Sequence, residues 1–430
     1  MRLPSIISIT MKGSTGMLAA LPACSLKHLD LIKLHGPVDG PAVSAALARL
    51  TNLQWLHIGM GEAPYSSLAG VAQLTRLTLL EVSGYLSGSE QLQQLQAQPL
   101  QQLLAQPLPL RVLRLRISRH LPPLDLSHLT QLRELYDESA SLTAVFPSQL
   151  QQLQLVAVGN ERMLQAVLQL QQLRRLTLGK IGNFSCSLAD VRLSCLDQLP
   201  ALQQLELVYD SGQQAAAAAA IWPQLPQLCA LDIMYGAANL SKRAVQPILN
   251  GAAACINLTY LWLDATWDWG VDGDDDGGEG AGGTCSTSFA KLAGLTNLKH
   301  LHTSDSSRLL VPGDALALVA LTSLTTLALA RAGAGVGDEA ATALAGSCQQ
   351  LCRLDLMGCS LFSMACLASV AHLTQLTWLG LAGNRGLTPQ GLMLLTGLKR
   401  QRELYVDRDA DVMDEVVERF WAAVRQQQEL

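Results

Sequence analysis

The chain has 430 residues, of which 49% are hydrophobic, 15% are charged and 4% are aromatic, and its formal net charge at pH 7 is −5. Leucine occupies 86 of these positions. That excess excludes an intrinsically disordered chain, and the mild acidity argues against a nucleic-acid-binding protein.

The uncharged run over residues 315–330 is the stretch that most resembles a membrane span. It is shorter than the about 20 apolar residues that a spanning helix needs, so we predict no membrane span. The first 13 residues contain Pro4 and Lys12, which interrupt the apolar region of a signal peptide. Ten cysteines without a pairing pattern favour a reducing compartment, so we expect a cytoplasmic protein.

One leucine pattern, L-x-x-L-x-x-L-x-L, recurs along the chain, and its third leucine is present in all fifteen copies. The pattern places two inward leucines on a short strand, and a single unit cannot bury them alone, so the units must stack. The third leucines are Leu29, Leu56, Leu80, Leu113, Leu135, Leu153, Leu176, Leu205, Leu231, Leu261, Leu301, Leu327, Leu354, Leu379 and Leu404.

Over nearly its full length this chain resembles the leucine-rich-repeat family, in its ribonuclease-inhibitor-like form. The resemblance implies an α/β solenoid with a parallel β-sheet on the concave face and short helices and loops on the convex face. We expect residues 1–409 to form an array of about fifteen irregular repeats, with an acidic, glycine-rich insertion at 265–285. Residues 410–430 are expected to form a capping helix. With no comparable cap before the first repeat, we expect the chain to be a fragment of a longer product.

Several segments between the strands have their own signatures. In chain order, residues 91–110 are either an elongated convex segment or a low-complexity helix, and the alanine run at 213–220 predicts a helix. Residues 337–351 and 386–398 predict helices, as do residues 411–428, whose apolar side chains recur every fourth position.

Three positions depart from the repeat pattern, because Asp137 and Thr303 replace an inward apolar residue and Gln401 replaces a leucine. Family members usually carry Asn or Cys three residues after the last strand leucine, where it hydrogen-bonds neighbouring repeats. Cys359 and Asn384 match this position. The last repeats resemble the cysteine-containing type found in F-box proteins.

A weak metal candidate lies in the insertion, where Asp272, Asp274 and Asp276 with Gly277 match the first half of a calcium loop. The match fails at Gly283, which stands where a bidentate Glu is needed, so a solvated acidic loop is the preferred interpretation.

Other metal-binding patterns are incomplete. His300 and His302 lie two residues apart but have no identifiable third ligand. Four cysteines lack the spacing of a zinc site, and a packing role is preferred for them; they are Cys348, Cys352, Cys359 and Cys366. We therefore predict no metal and no cofactor.

No catalytic motif is present, so we predict a non-enzymatic protein. The residues that flank the inward leucines are rich in Trp, Tyr and Arg, the types enriched at interface hot spots. The candidate partner-binding residues are Trp55, His57, Arg114, Arg116, Tyr136, Tyr260, Trp262, His300, His302, Arg353, Asp355 and Trp378.

These residues favour a monomeric scaffold that binds a partner protein on its concave face, with no nucleic-acid or membrane partner. Arrays of this kind serve cytoskeletal and ciliary complexes, so a cytoskeletal or axonemal location is a further expectation. The alternative is the substrate-recognition part of an F-box-type ubiquitin ligase receptor, with the F-box itself missing from this chain.

Overall fold

The fold comes from a computed structural model. It describes residues 7–34, 38–61, 63–86, 90–118, 121, 123–139, 144–156, 161–179, 193–209, 212–235, 242–265, 289–304, 310, 313–361, 363–384, 386–407 and 411–428. The chain divides into two compact units, Met1–Leu202 and Gln203–Leu430.

In the described part of the first unit, eight strands form a parallel sheet in chain order, and the short strands β6 and β8 pair separately. The strands are β1 (Ser8–Gly13), β2 (His28–Leu34), β3 (Trp55–Gly59), β4 (Leu79–Tyr85), β5 (Val112–Ser118), β6 (Leu124–Asp125), β7 (Glu134–Asp137), β8 (Ala144–Val145), β9 (Gln152–Leu155) and β10 (Arg175–Leu178). The helices are α1 (Thr15–Ala19), α2 (Gly40–Ala48), α3 (Glu90–Leu104) and α4 (Glu161–Leu168), with 3-10 turns at Tyr65–Gln73 and Leu193–Gln198.

The described part of the second unit repeats this plan, with eight strands in a parallel sheet and β16 pairing with β18 outside it. The strands are β11 (Gln204–Tyr209), β12 (Ala230–Tyr235), β13 (Tyr260–Ala265), β14 (His300–Ser304), β15 (Thr326–Ala328), β16 (Gly333–Gly337), β17 (Arg353–Asp355), β18 (Cys359–Ser360), β19 (Trp378–Gly380) and β20 (Glu403–Tyr405). The helices are α5 (Gly212–Ala219), α6 (Lys242–Ala254), α7 (Asp314–Ala317), α8 (Asp338–Ser347), α9 (Met364–Val370), α10 (Pro389–Leu394) and α11 (Asp411–Gln428). Its 3-10 turns are Trp222–Gln224, Phe289–Gly294, Leu318–Ala320 and Leu395–Gly397.

The strand register follows the third leucines of the repeats. In the first unit Leu29 pairs with Leu56, and the pairing continues through Leu80, Leu113, Leu135 and Leu153 to Leu176. In the second unit the same line runs from Leu205 through Leu231, Leu261, Leu301, Leu327, Leu354 and Leu379 to Leu404. The leucine-rich-repeat fold class is therefore confirmed.

The core of each unit is a stack of these leucines. In one repeat, Leu170, Leu173, Leu176 and Leu178 are all at most 2% exposed. Successive helical elements contact one another, as α5 does with α6 and α8 with α9. Each repeat therefore buries its apolar side chains against its neighbours.

Three segments between the strands hold shorter helices than the patterns predict, whereas α5 has the predicted length and begins one residue earlier. Residues 91–110 contain most of the helix α3 and are therefore not an elongated convex segment. Within residues 337–351 only α8 is an α-helix. After the hydrogen bond from Cys348 N–H to Leu344 O, the chain leaves the helix and continues to β17. Thr388 caps α10 by accepting a hydrogen bond from Gly391 N–H, and one 3-10 turn completes that segment. Helix α11 has the predicted bounds and buries Val416, Phe420 and Val424. None of the helices in the described residues is long and apolar enough to cross a bilayer.

Two of the irregular residues, Asp137 and Thr303, are satisfied by local hydrogen bonds. Asp137 is 4% exposed and accepts hydrogen bonds from both N–H and Oγ–H of Ser139. Thr303 is fully buried and its Oγ1 donates to Ala328 O at 3.3 Å. A buried polar side chain is tolerated here because its hydrogen bonds are made within the repeat stack.

The Asn and Cys of the last repeats hold adjacent turns. Asn384 Nδ2 donates to Leu356 O and Leu381 O, and its Oδ1 accepts from Leu361 N–H. Cys359 Sγ lies 3.4 Å from Leu329 O, in the preceding repeat. These contacts match the role that the family resemblance implies for both positions.

Two helical glycines in the second unit give opposite predictions. A Cβ at Gly251 would lie 2.2 Å from Ala219 O, because α5 and α6 approach closely there, whereas a Cβ at Gly346 meets nothing within 4 Å. We expect Gly251→Ala to lower the free energy of unfolding by about 3 kcal/mol through overpacking. Gly346→Ala should raise it by about 0.5–1 kcal/mol through helix propensity. Urea denaturation of both variants measures the difference, and equal effects would contradict the close approach.

Asp137 makes stability depend on pH. Burial raises the pKa of its carboxyl from 3.8 to about 6, against the hydrogen bonds from Ser139 that lower it. The stability that this group contributes is fully present below about pH 4 and is lost as the pH rises through about 6. We expect Asp137→Asn, which keeps the acceptor for Ser139, to be more stable than the unmodified chain at pH 8, by up to about 3 kcal/mol. Denaturation at pH 4 and pH 8 checks this, and a difference that does not change with pH would contradict it.

Candidate binding face

The strand residues immediately before and after each third leucine form what we call the open face, which points away from the leucine core. They are mostly half-buried and alternate with buried leucines, as Trp55 and His57 do on β3. Eleven of the twelve candidate residues occupy these positions, and Arg116 lies two positions further along β5. The structure thus places the candidates on one face of the sheet within each unit.

In the first unit His57 is held between two neighbouring strands. Its Nδ1 lies 2.7 Å from Asp30 Oδ1 and its Nε2 lies 3.0 Å from Ser83 Oγ. Because an ionised carboxylate only accepts hydrogen bonds, Nδ1–H donates to Asp30. Both ring nitrogens of His57 are therefore occupied within the chain, while Trp55 lies at a ring-centroid distance of 6.4 Å from the imidazole.

Both candidate arginines of the first unit share one carboxylate. Glu81 is 6% exposed and lies 3.4 Å from Arg114 Nη1 and 3.2 Å from Arg116 Nε. Arg116 also lies 3.9 Å from Glu138. These charges neutralise one another within the chain, so they are already paired when a ligand arrives.

Tyr136 extends this polar network. Its hydroxyl donates to Glu134 Oε2 at 3.3 Å and approaches Gln152 Oε1 at 3.4 Å, and the Arg114 guanidinium lies 4.9 Å above its ring. Burial, and then the nearby Glu134 carboxylate, raise the pKa of the Tyr136 hydroxyl. The first unit's open face is therefore charged but largely self-satisfied.

In the second unit four rings on β13 and β14 form what we call the first aromatic group: Tyr260, Trp262, His300 and His302. The His302 ring stacks on Trp262 with a centroid distance of 3.9 Å, and Tyr260 lies 6.0 Å from His300 and 6.4 Å from Trp262. Burial, with the Lys299 charge as a smaller cause, lowers the pKa of His300.

A second aromatic group lies on β17, β19 and β20 and consists of Arg353, Trp378 and Tyr405. The Arg353 guanidinium lies 4.0 Å above the Trp378 ring, a cation–π contact. Tyr405 is 48% exposed and its ring lies 5.1 Å from Trp378.

Asp355 lies between the two aromatic groups. In the register of the strands it pairs with Ala328 on β15, which in turn pairs with His302 on β14. One carboxylate oxygen accepts a hydrogen bond from Met357 N–H at 3.1 Å. Burial raises the pKa of Asp355, and this hydrogen bond, His302 and Arg353 only partly oppose the effect.

Several residues that contribute to this face are not among the candidates, and Ser83, Gly380 and Tyr405 are three of them. Tyr405 follows its third leucine directly, so the repeat pattern itself was sufficient to find it. The repeat pattern gave no signal for Gly380, because the corresponding position one repeat earlier is Asp355. A Cβ at Gly380 would lie 2.7 Å from Trp378 Cη2, so the indole rests on the bare backbone.

The metal candidates receive no support from the described residues, which contain no group of three His, Cys, Asp or Glu side chains able to hold a metal ion. Asp272, Asp274 and Asp276 lie outside the described residues. Of the four cysteines considered for zinc, Cys348, Cys359 and Cys366 are buried and Cys352 is exposed. Burial raises the pKa of the Cys348 thiol to about 11, which favours packing over metal binding.

No family model and no curated protein matches the chain. Among solved structures it is similar to internalin InlF from Listeria monocytogenes, at 15% identity and a TM-score of 0.38 over 85% of this chain and 88% of that one. It is also similar to TLR13, solved as a TLR13–ssRNA13 complex, at 16% identity and a TM-score of 0.41 over 95% of this chain. The match spans 60% of the TLR13 chain. Both are leucine-rich-repeat proteins.

The bare backbone under Trp378 can be tested by substitution. We expect Gly380→Ala to displace the indole, because the added Cβ would overlap it, and so to change the near-ultraviolet circular dichroism of the chain. In a Trp378→Leu background the same substitution should leave the spectrum almost unchanged. Identical spectral changes in both backgrounds would contradict the contact.

Proposed function

We propose that this leucine-rich-repeat chain is a non-enzymatic scaffold that binds a partner protein with its open face. In the second unit the first aromatic group is the centre of the site, and the second aromatic group extends it. The candidates of the first unit are proposed as partner-binding residues of that unit. The proposed molecule is monomeric and cytoplasmic, and a cytoskeletal or axonemal location remains a hypothesis.

The observation that carries the proposal is the packing of half-buried aromatic rings on a face made of rigid strands. Trp262 and His302 stack on each other, so their side-chain entropy is already lost before a partner binds. Tryptophan and tyrosine are the side chains most often found at interface hot spots. A partner that covers these rings gains apolar burial at little ordering cost.

A mutation pair tests the site. We expect Tyr260→Ala with Trp262→Ala to lower partner capture from cell extract at least about tenfold, because hot-spot truncations cost about 2 kcal/mol or more. The thermal unfolding midpoint should change little, since both side chains are only half-buried. Capture is measured by quantitative affinity purification with mass spectrometry.

The matched control is Trp421→Ala, which removes a half-exposed tryptophan from α11 and should leave capture unchanged. A photo-crosslinking residue at position 326, on the strand next to the first aromatic group, should label the captured protein, and one at position 421 should not. Full capture by the double variant would contradict the proposed site and direct attention to the insertions.

The F-box alternative rests on the last repeats, where Cys359 and Asn384 occupy the positions of the cysteine-containing type. In that case the captured protein is a substrate for ubiquitin transfer, and the complete gene product binds the ligase adaptor. Co-purification of the adaptor with the product of the complete gene distinguishes this alternative from a plain scaffold.

A further inference from the structure

A strand with small side chains separates the two aromatic groups. Strand β15 lies between β14 and β17 and presents only Thr326 and Ala328 on the open face. Neighbouring strands are about 4.8 Å apart, so β14 and β17 lie roughly 10 Å from each other. Solvent reaches Thr326, which is half-buried, but hardly reaches Ala328, which is 1% exposed, so this low strip is open only at its Thr326 end.

The charge of this face is negative. On the described strands of the second unit, the open face carries four carboxylates against one guanidinium, a net charge of −3 with both histidines neutral. It stays negative even with both histidines protonated. The charged residues are Glu206, Asp232, Asp355, Glu403 and Arg353.

Asp355 is the acidic side chain next to the low strip, directly across Ala328 from His302. Within the described residues no lysine or arginine nitrogen lies within 4 Å of its carboxylate, because Arg353 is directed over Trp378. In the part of the chain that the structure describes, the only hydrogen bond to this carboxylate comes from Met357 N–H. A half-buried carboxylate in this state gains from a cationic partner group that replaces its lost hydration.

Arg353 also shows which cation suits this face, since its planar guanidinium already stacks on Trp378 at 4.0 Å. A guanidinium can stack on an aromatic ring and pair with a carboxylate at the same time, which an ammonium does poorly. We propose that the partner protein presents an arginine that enters above Thr326, between the two aromatic groups, and pairs with the half-buried carboxylate of Asp355. This inference rests on the proposed function, because it names what the same face recognises.

A phage library of random 12-residue peptides, selected on the full chain, tests this inference. Peptides that also bind a Trp262→Ala, Trp378→Ala double variant are removed. We expect the remaining peptides to be enriched in arginine. The affinity of a synthetic representative should fall at least about tenfold with Asp355→Asn, which keeps the acceptor for Met357 N–H. Replacing the peptide's arginine by citrulline should cause a similar loss, and replacing it by lysine a smaller one.

The matched control is Asp414→Asn on α11, an exposed acidic residue away from the open face, which should leave the affinity unchanged. Selected peptides without arginine enrichment, or binding that is insensitive to Asp355→Asn or to the change from arginine to lysine, would overturn the arginine inference and leave the proposed function standing. A complete lack of peptides that depend on Trp262 and Trp378 would overturn both.

Discussion

The pairing of third leucines between parallel strands is the constraint on which the rest of the structure depends. In each unit these leucines lie in one uninterrupted line, although the chain between consecutive copies varies from 18 to 40 residues. Since side chains alternate along a strand, a slip of one residue would turn a buried leucine towards solvent and an arginine or tryptophan into the core. The register is therefore held by burial, while the length of the connection is left free.

This freedom explains which features were predictable from the sequence. The fold class, the inward leucines and the open-face positions follow from a period of two within each strand. The helix ends do not follow from it, because α8 stops where the chain must return to β17, a requirement of the neighbouring repeat. Asp137 and Thr303 were recognisable as irregular, but Ser139 and Ala328 as their hydrogen-bond partners depend on local backbone geometry that the pattern does not encode.

The open face was predictable only by position. The pattern identifies Trp262 and His302 as neighbours, yet their stacking at 3.9 Å depends on rotamers that no spacing rule supplies. The same limit applies to Glu81, because the pattern does not show that its carboxylate pairs with both Arg114 and Arg116, which lie two residues apart on β5. Sequence reasoning treated these charges as available to a partner, whereas the geometry commits them to each other.

The open faces of the two units differ because the side chains of the first unit pair with one another more completely than those of the second. Where opposite charges occur on adjacent strands, as with Glu81 and Arg114, the side chains satisfy one another and give a partner little to gain. On β13 to β17 the rings stack on one another, whereas Asp355 has no lysine or arginine nitrogen of the described residues within 4 Å. The second unit therefore retains both apolar surface and negative charge. Glycine at position 380 strengthens this arrangement, because it lets an indole lie flat against the backbone beside Asp355 instead of burying the carboxylate under a side chain. A face built in this way favours a ligand group that is planar, weakly hydrated and cationic, which is the chemistry of a guanidinium.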